Sequence, residues 1–150
     1  MTSRTRNVII ALSVIGVCAL FFLGVMVGAA VVGYKAATRA GNEAATIQNL
    51  KTIAAAEVQY FNDHNRTFAT FDQLVTAEML SRKFDGRPTI ADGYVFELTV
   101  TPKPDGSSWY KITVDPQDKS TGANHFYLDS DDHRIHVNAE RQAGPADSVN

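Results

Sequence analysis

The chain has 150 residues, with 14 Lys and Arg against 16 Asp and Glu, a net charge of −2 at pH 7, 45% hydrophobic residues and a single cysteine. This length fits one domain plus flanking segments, and the scattered, near-balanced charge excludes the basic stripe that nucleic acid requires. The lone cysteine, Cys18, excludes an internal disulfide and leaves the polar part of the chain with no thiol for metal or nucleophilic chemistry.

Residues 1–7 read as a short polar tail. The next stretch, "VIIALSVIGVCALFFLGVMVGAAVV" from Val8 to Val32, has no charged residue, and fifteen of its positions are Val, Ile, Leu or Phe. A helix crosses a bilayer with about 20 apolar residues, so residues 8–33 are expected to form a transmembrane helix with the lipid bilayer as its partner. Arg4 and Arg6 precede it, and Tyr34, Lys35 and Arg39 follow it, as interfacial anchors. Positive charge is nearly equal on the two sides, so charge alone leaves the orientation open. A cleaved secretory signal is the rival reading, with "VGAA" (Val27 to Ala30) as the processing site. The apolar core exceeds the roughly 7–15 residues of such signals. Gly24 and Gly28 have the four-residue spacing that lets membrane helices approach closely, and they are the candidates for self-association.

"NEAATIQNLKTIAAAEVQYF", Asn42 to Phe61, is amphipathic. Ala40, Ala44, Ile47, Leu50, Ala54, Val58 and Phe61 recur at three- and four-residue intervals. No proline lies between Val32 and Asp63, so one long helix is expected, ending at "DHNR" (Asp63 to Arg66). Ile47, Leu50, Ala54, Val58 and Phe61 are the residues expected to hold it to a sheet. Thr70 and Gln73 form a capping-box pattern that opens a short second helix bearing Phe71, Leu74, Val75 and Leu80. "DGRPTIADG", Asp85 to Gly93, reads as loop.

After Gly93 the period changes to two. "YVFELTV" sets Tyr94, Phe96, Leu98 and Val100 on one face, and "WYKITV" sets Tyr110, Ile112 and Val114 on one face. "HFYLD" and "HRIHV" read as a closing hairpin with Phe126 and Leu128 on the same side. The fold class expected is therefore α+β. A long N-terminal helix, half transmembrane and half amphipathic, packs on a small antiparallel sheet of about four strands over residues 34–137. Residues 138–150 lack apolar content and are expected to be disordered.

Chemistry is sparse. His125, His133 and His136 invite a metal reading, but His133 and His136 are three apart in an expected strand and point to opposite faces. Zinc needs three or four converging ligands, so exposed strand histidines are the better account. "DSDD" (Asp129 to Asp132) lacks the glycine and distal glutamate of a calcium loop and reads as a polar turn. Serines at 107, 108, 120 and 130 lie in turns without a nucleophile context, and Glu57 is a single acid. No catalytic residue, cofactor site or metal site is expected.

The order of "NEAATIQNLKTIAAAEVQYF", "RTFATFDQL", "GYVFELTV" and "TGANHFYLDSDDHRIH" resembles the soluble region of bacterial type IV pilin-like proteins and pseudopilins, from about Asn42 to His136. The resemblance implies a helix half in the bacterial inner membrane, single-pass, with a cytoplasmic N-terminus and a periplasmic sheet domain. It also implies a non-enzymatic role in a pilus or type II secretion-type machine, with other pilin-like subunits or the chain itself as partners. The N-terminal part lacks the usual prepilin cleavage motif, and no acidic residue precedes Glu43. The alternative function is a periplasmic ligand-binding domain released by signal-peptide cleavage near Ala30.

Overall fold

The computed structural model describes the backbone of Ser3–Asn150, and side-chain environments for residues 31–150 together with 16, 20–22 and 26. The chain divides into two units, Met1–Ala37 and Thr38–Asn150. Helix α1 spans Ser3–Asp63. With no proline in its interior and Gly33 and Gly41 costing about 1 kcal/mol each relative to alanine, nothing stops it before the reversal at Asn65 and Arg66. Both of these residues hold left-handed backbone, at φ 51° and 62°. Helix α2, Phe71–Thr76, opens on the expected capping box: the Thr70 hydroxyl accepts from Gln73 N, and Gln73 Oε1 accepts from Thr70 N at 2.8 Å.

Six strands follow: β1 Thr89–Ala91, β2 Tyr94–Pro102, β3 Ser108–Pro116, β4 His125–Asp129, β5 His136–Asn138 and β6 Ser148–Val149. They form one sheet in chain order with every neighbouring pair antiparallel. The expected four-stranded pilin-like sheet is thus corrected to six strands. One addition lies in the stretch read as loop. Asp92 and Gly93, at φ 51° and 79°, make the two-residue turn that pairs Ala91 with Tyr94. The other lies in the stretch expected to be disordered. There β6 pairs with β5, and Asn150 N donates to Ile135 O at 2.9 Å.

Alternation along β2, β3 and β4 puts Tyr94, Phe96, Tyr110, Ile112, Val114, Phe126 and Leu128 on one face, all buried against Leu50, Ile53 and Ala56 of α1. Phe71 and Phe84 close one side, with ring centroids 5.8 Å apart, and Phe84 meets Phe96 edge-on at 5.6 Å. Each such side chain contributes roughly 1.5–3 kcal/mol on burial. Gly122 has no room for a side chain, since a Cβ there would lie 1.8 Å from the Tyr94 hydroxyl.

The expected single pass through a bacterial inner membrane is also corrected: among the described residues, no helix is long and apolar enough to cross a membrane. Most of the side-chain positions of residues 8–33, including Gly24 and Gly28 themselves, lie outside the described residues.

Candidate functional site

The five helix positions expected to face the sheet fall into three groups. Leu50 is fully buried in the core, and Ile47 and Ala54 are partly buried at its edge. Val58 is 43% exposed, and Phe61 is half-buried with its ring stacked on Phe68 at 4.5 Å. The buried face runs instead through Thr46, Asn49, Leu50, Ile53, Ala56 and Glu57. Three of these six are polar, which is why a reading of apolar residues alone sets the stripe to one side.

Two of those polar residues, Asn49 and Glu57, together with Asn42 and Glu43 at the start of the 38–150 unit, hold loops to the helix. Asn42 Nδ2 donates to Thr121 O at 2.8 Å. Glu43 accepts from Ala123 N at 2.9 Å and from Asn124 Nδ2 at 2.8 Å. Asn49 Nδ2 donates to Asp92 Oδ2, and Asn49 Oδ1 accepts from Lys83 Nζ, both at 2.8 Å. Lys83 also pairs with Asp92 at 3.1 Å. Asn49's hydrogen bond, with help from Lys83, holds the Asp92 carboxyl below the usual range although burial opposes it.

Glu57 is the unusual member. It is fully buried, and its Oε2 accepts from Ala69 N at 2.9 Å. Its Oε1 and the nearby Tyr110 hydroxyl have no hydrogen-bond partner among the described residues. Burial pushes the Glu57 carboxyl up to about 7, against the smaller opposing effect of the Ala69 bond. Burial also raises the Tyr110 hydroxyl, with the Glu57 and Asp129 charges adding to it.

The histidines do not converge on a metal, and no cluster of metal-holding residues occurs among the described residues. His133 is exposed in the turn before β5. His125 pairs with Asp115. His136, expected to be exposed, is 4% exposed. Its Nδ1 lies 2.9 Å from Asp147 O and its Nε2 2.9 Å from Asp132 Oδ2. Both neighbours are acceptors, an arrangement that favours the doubly protonated imidazolium over either neutral tautomer. The Asp147 carbonyl and then the Asp132 carboxylate raise the imidazole's pKa, with burial opposing. The Asp129 carboxylate is turned inward, accepting from Tyr127 Oη at 2.8 Å and Asp131 N at 2.9 Å. Asp147 gathers Asn138 Nδ2, Gly144 N and Arg141, and so ties the 139–147 segment between β5 and β6 into a closed strap.

Of the residues that hold this strap, His136 is expected from the sequence only as an exposed strand histidine, and Asp147 and Asn138 are not singled out at all. Their one local signal is the "PAD" turn, where Asp147 N donates to Gly144 O at 3.1 Å. In the 1–37 unit the described apolar side chains are uncovered: Leu20, Phe21, Phe22 and Met26 are 68–73% exposed and Val32 is 69% exposed. No family model matches the chain, and no curated protein or solved structure shows significant similarity to it.

Proposed function

We propose that this chain is a non-enzymatic structural subunit that assembles through the apolar N-terminal part of α1, as in the pilus or secretion assemblies its resemblance to type IV pilin-like proteins implies. The observation that carries the reading is the exposure of Leu20, Phe21, Phe22, Met26, Val31 and Val32 on one helix. Uncovered apolar side chains at consecutive helical turns cost free energy in water at about 25 cal/mol per Å². A run of this length marks a surface that a partner covers. Other copies of the same segment supply a partner of matching shape and polarity, and Gly24 and Gly28 offer a place for close approach.

The 38–150 unit supports a presenting role. Its loops are cross-tied to α1 by Asn42, Glu43, Asn49 and Glu57, which favours a rigid body over a moving lid. No nucleophile, base and orienting group stand within mutual hydrogen-bond reach among the described side chains.

Co-isolation tests the proposal. Two full-length copies with different affinity tags are produced together and purified through one tag. The second tag is expected in the eluate, and is expected to be lost when Phe21→Gln and Phe22→Gln are introduced in both copies. Absence of the second tag with the unsubstituted chains refutes self-assembly.

A further inference from the structure

Three loops meet at the end of the 38–150 unit where α1 stops: residues 62–68, the β2–β3 turn and the β4–β5 turn. They enclose a cleft of about 410 Å³. Its polar wall is rich in donors, beside the oxygens of Asn62 and Asp105. Arg66, Lys103 and His133 line it, and among the described residues none of their side chains has a hydrogen bond or salt bridge. Ser108 Oγ accepts from Phe68 N at 2.6 Å and Ser130 Oγ accepts from Tyr110 N at 3.3 Å. Each hydroxyl keeps its own proton to donate, and no described residue takes it.

The single acid of the cleft is already engaged. Asp105 Oδ1 accepts from Ser107 Oγ at 2.6 Å and Ser107 N at 3.1 Å. These bonds, and then the Arg66 charge, hold its carboxyl below the usual range. With histidine neutral, the two cations Arg66 and Lys103 against Asp105 leave the lining one positive charge in excess (2 − 1 = 1).

The other wall is apolar. It includes Phe61, Phe68 and Val58, and Val58 is 43% exposed although it belongs to the expected core stripe. The frame is rigid: Ser108 N donates to Arg66 O at 3.2 Å and Ser130 N to Tyr110 O at 3.0 Å, so each loop is tied to β3. Two unpaired cations and two free hydroxyl donors facing an aromatic wall match an anionic oxygen group carried on an apolar body.

We propose that this cleft binds a small organic anion, a carboxylate or phosphate joined to an apolar chain or ring, with Arg66 and Lys103 holding the charge and Phe61, Phe68 and Val58 covering the body. The site is independent of the apolar segment through which the chain assembles.

Isothermal titration of the purified full chain tests this with hexanoate, monohexyl phosphate, acetate, inorganic phosphate and hexanol. At least one hexyl anion is expected to saturate with Kd below about 1 mM, a scale set by its few heavy atoms. The stronger of the two identifies the head group. Acetate, inorganic phosphate and hexanol are each expected to bind at least about tenfold more weakly, because each lacks one half of the ligand. Arg66→Asn, chosen because Asn tolerates the positive φ of 62°, is expected to weaken the hexyl anion at least about tenfold. Lys103→Gln, on an exposed strand-flanking turn, gives the same reading without touching that backbone. Equal binding of hexanol, an unchanged Kd in Lys103→Gln, or no saturation by either hexyl anion below about 10 mM would each overturn the proposal.

Discussion

Glu57→Gln isolates the one carboxylate that α1 carries into the core. Burial raises this group from the ordinary 4.5 to about 7 in the folded chain. A displacement of roughly 2.5 pH units at about 1.36 kcal/mol per unit amounts to about 3 kcal/mol. The sign follows from proton counting. Between pH 4.5 and about 7 the folded chain holds a proton that the unfolded chain has lost, so stability falls as pH rises through that window. Above it the full penalty of an ionised, buried carboxylate remains. Glutamine keeps an oxygen to accept from Ala69 N, as Glu57 does at 2.9 Å, and it carries no proton to lose. Urea unfolding of both full chains, followed by Trp109 fluorescence from pH 4 to 8.5, reads the difference directly. Any unpaired amide proton of the glutamine adds an offset that does not vary with pH. Relative to its value at pH 4, the stability of Glu57→Gln is expected to gain about 3 kcal/mol on wild type by pH 8. A difference that stays flat across the range, or grows as pH falls, would refute the argument that burial controls this group.

Three further outcomes are expected. His136→Gln removes an imidazole whose pKa is raised in the folded chain. Its stability deficit relative to wild type is therefore full below about pH 6.5 and shrinks as pH rises through the folded value, and amide exchange at residues 144–149 reads the loosened strap. Gly122→Ala places a Cβ where only 1.8 Å separates it from the Tyr94 hydroxyl. Overpacking of this kind costs roughly 1–3 kcal/mol, seen as a lowered Tm, and adding Tyr94→Phe recovers part of it. Leu50→Ala, at a fully buried site, is expected to cost about 2–5 kcal/mol, whereas Val58→Ser at a 43% exposed site stays within about 0.5 kcal/mol by urea titration.

What local chemistry decides could be read from the residues. The Thr70–Gln73 capping box and the alternation along Tyr94–Val100 and Trp109–Val114 fix short-range structure, and the same elements stand in the fold. What depends on distant partners could not. The buried face of α1 includes Thr46, Asn49 and Glu57 because Asp92, Lys83 and the Ala69 amide lie opposite two of them. Hydropathy cannot see those partners and rejects all three residues. Strand β1 was within reach, since Asp92-Gly93 is a strong two-residue turn signal beside "PTIA". Strand β6 was not. Two residues without apolar pattern form a strand where His136 and Asn138 hold Asp147 just ahead of them and Asn150 N reaches Ile135 O just behind. The cleft at Arg66 and Lys103 likewise joins loops 37 positions apart (103 − 66) that no spacing rule connects.

Assembly through the exposed apolar side chains on the N-terminal part of α1 has a direct test in cysteine cross-linking. Single cysteines are placed in turn at positions 20 to 34 of a Cys18→Ser chain, and intact cells are treated with a mild oxidant. If copies pack through this segment, disulfide-linked dimers are expected at positions repeating every three to four residues, with the strongest yields on the face that includes Gly24 and Gly28. Uniformly absent cross-links, or yields without helical period, would contradict assembly through this helix.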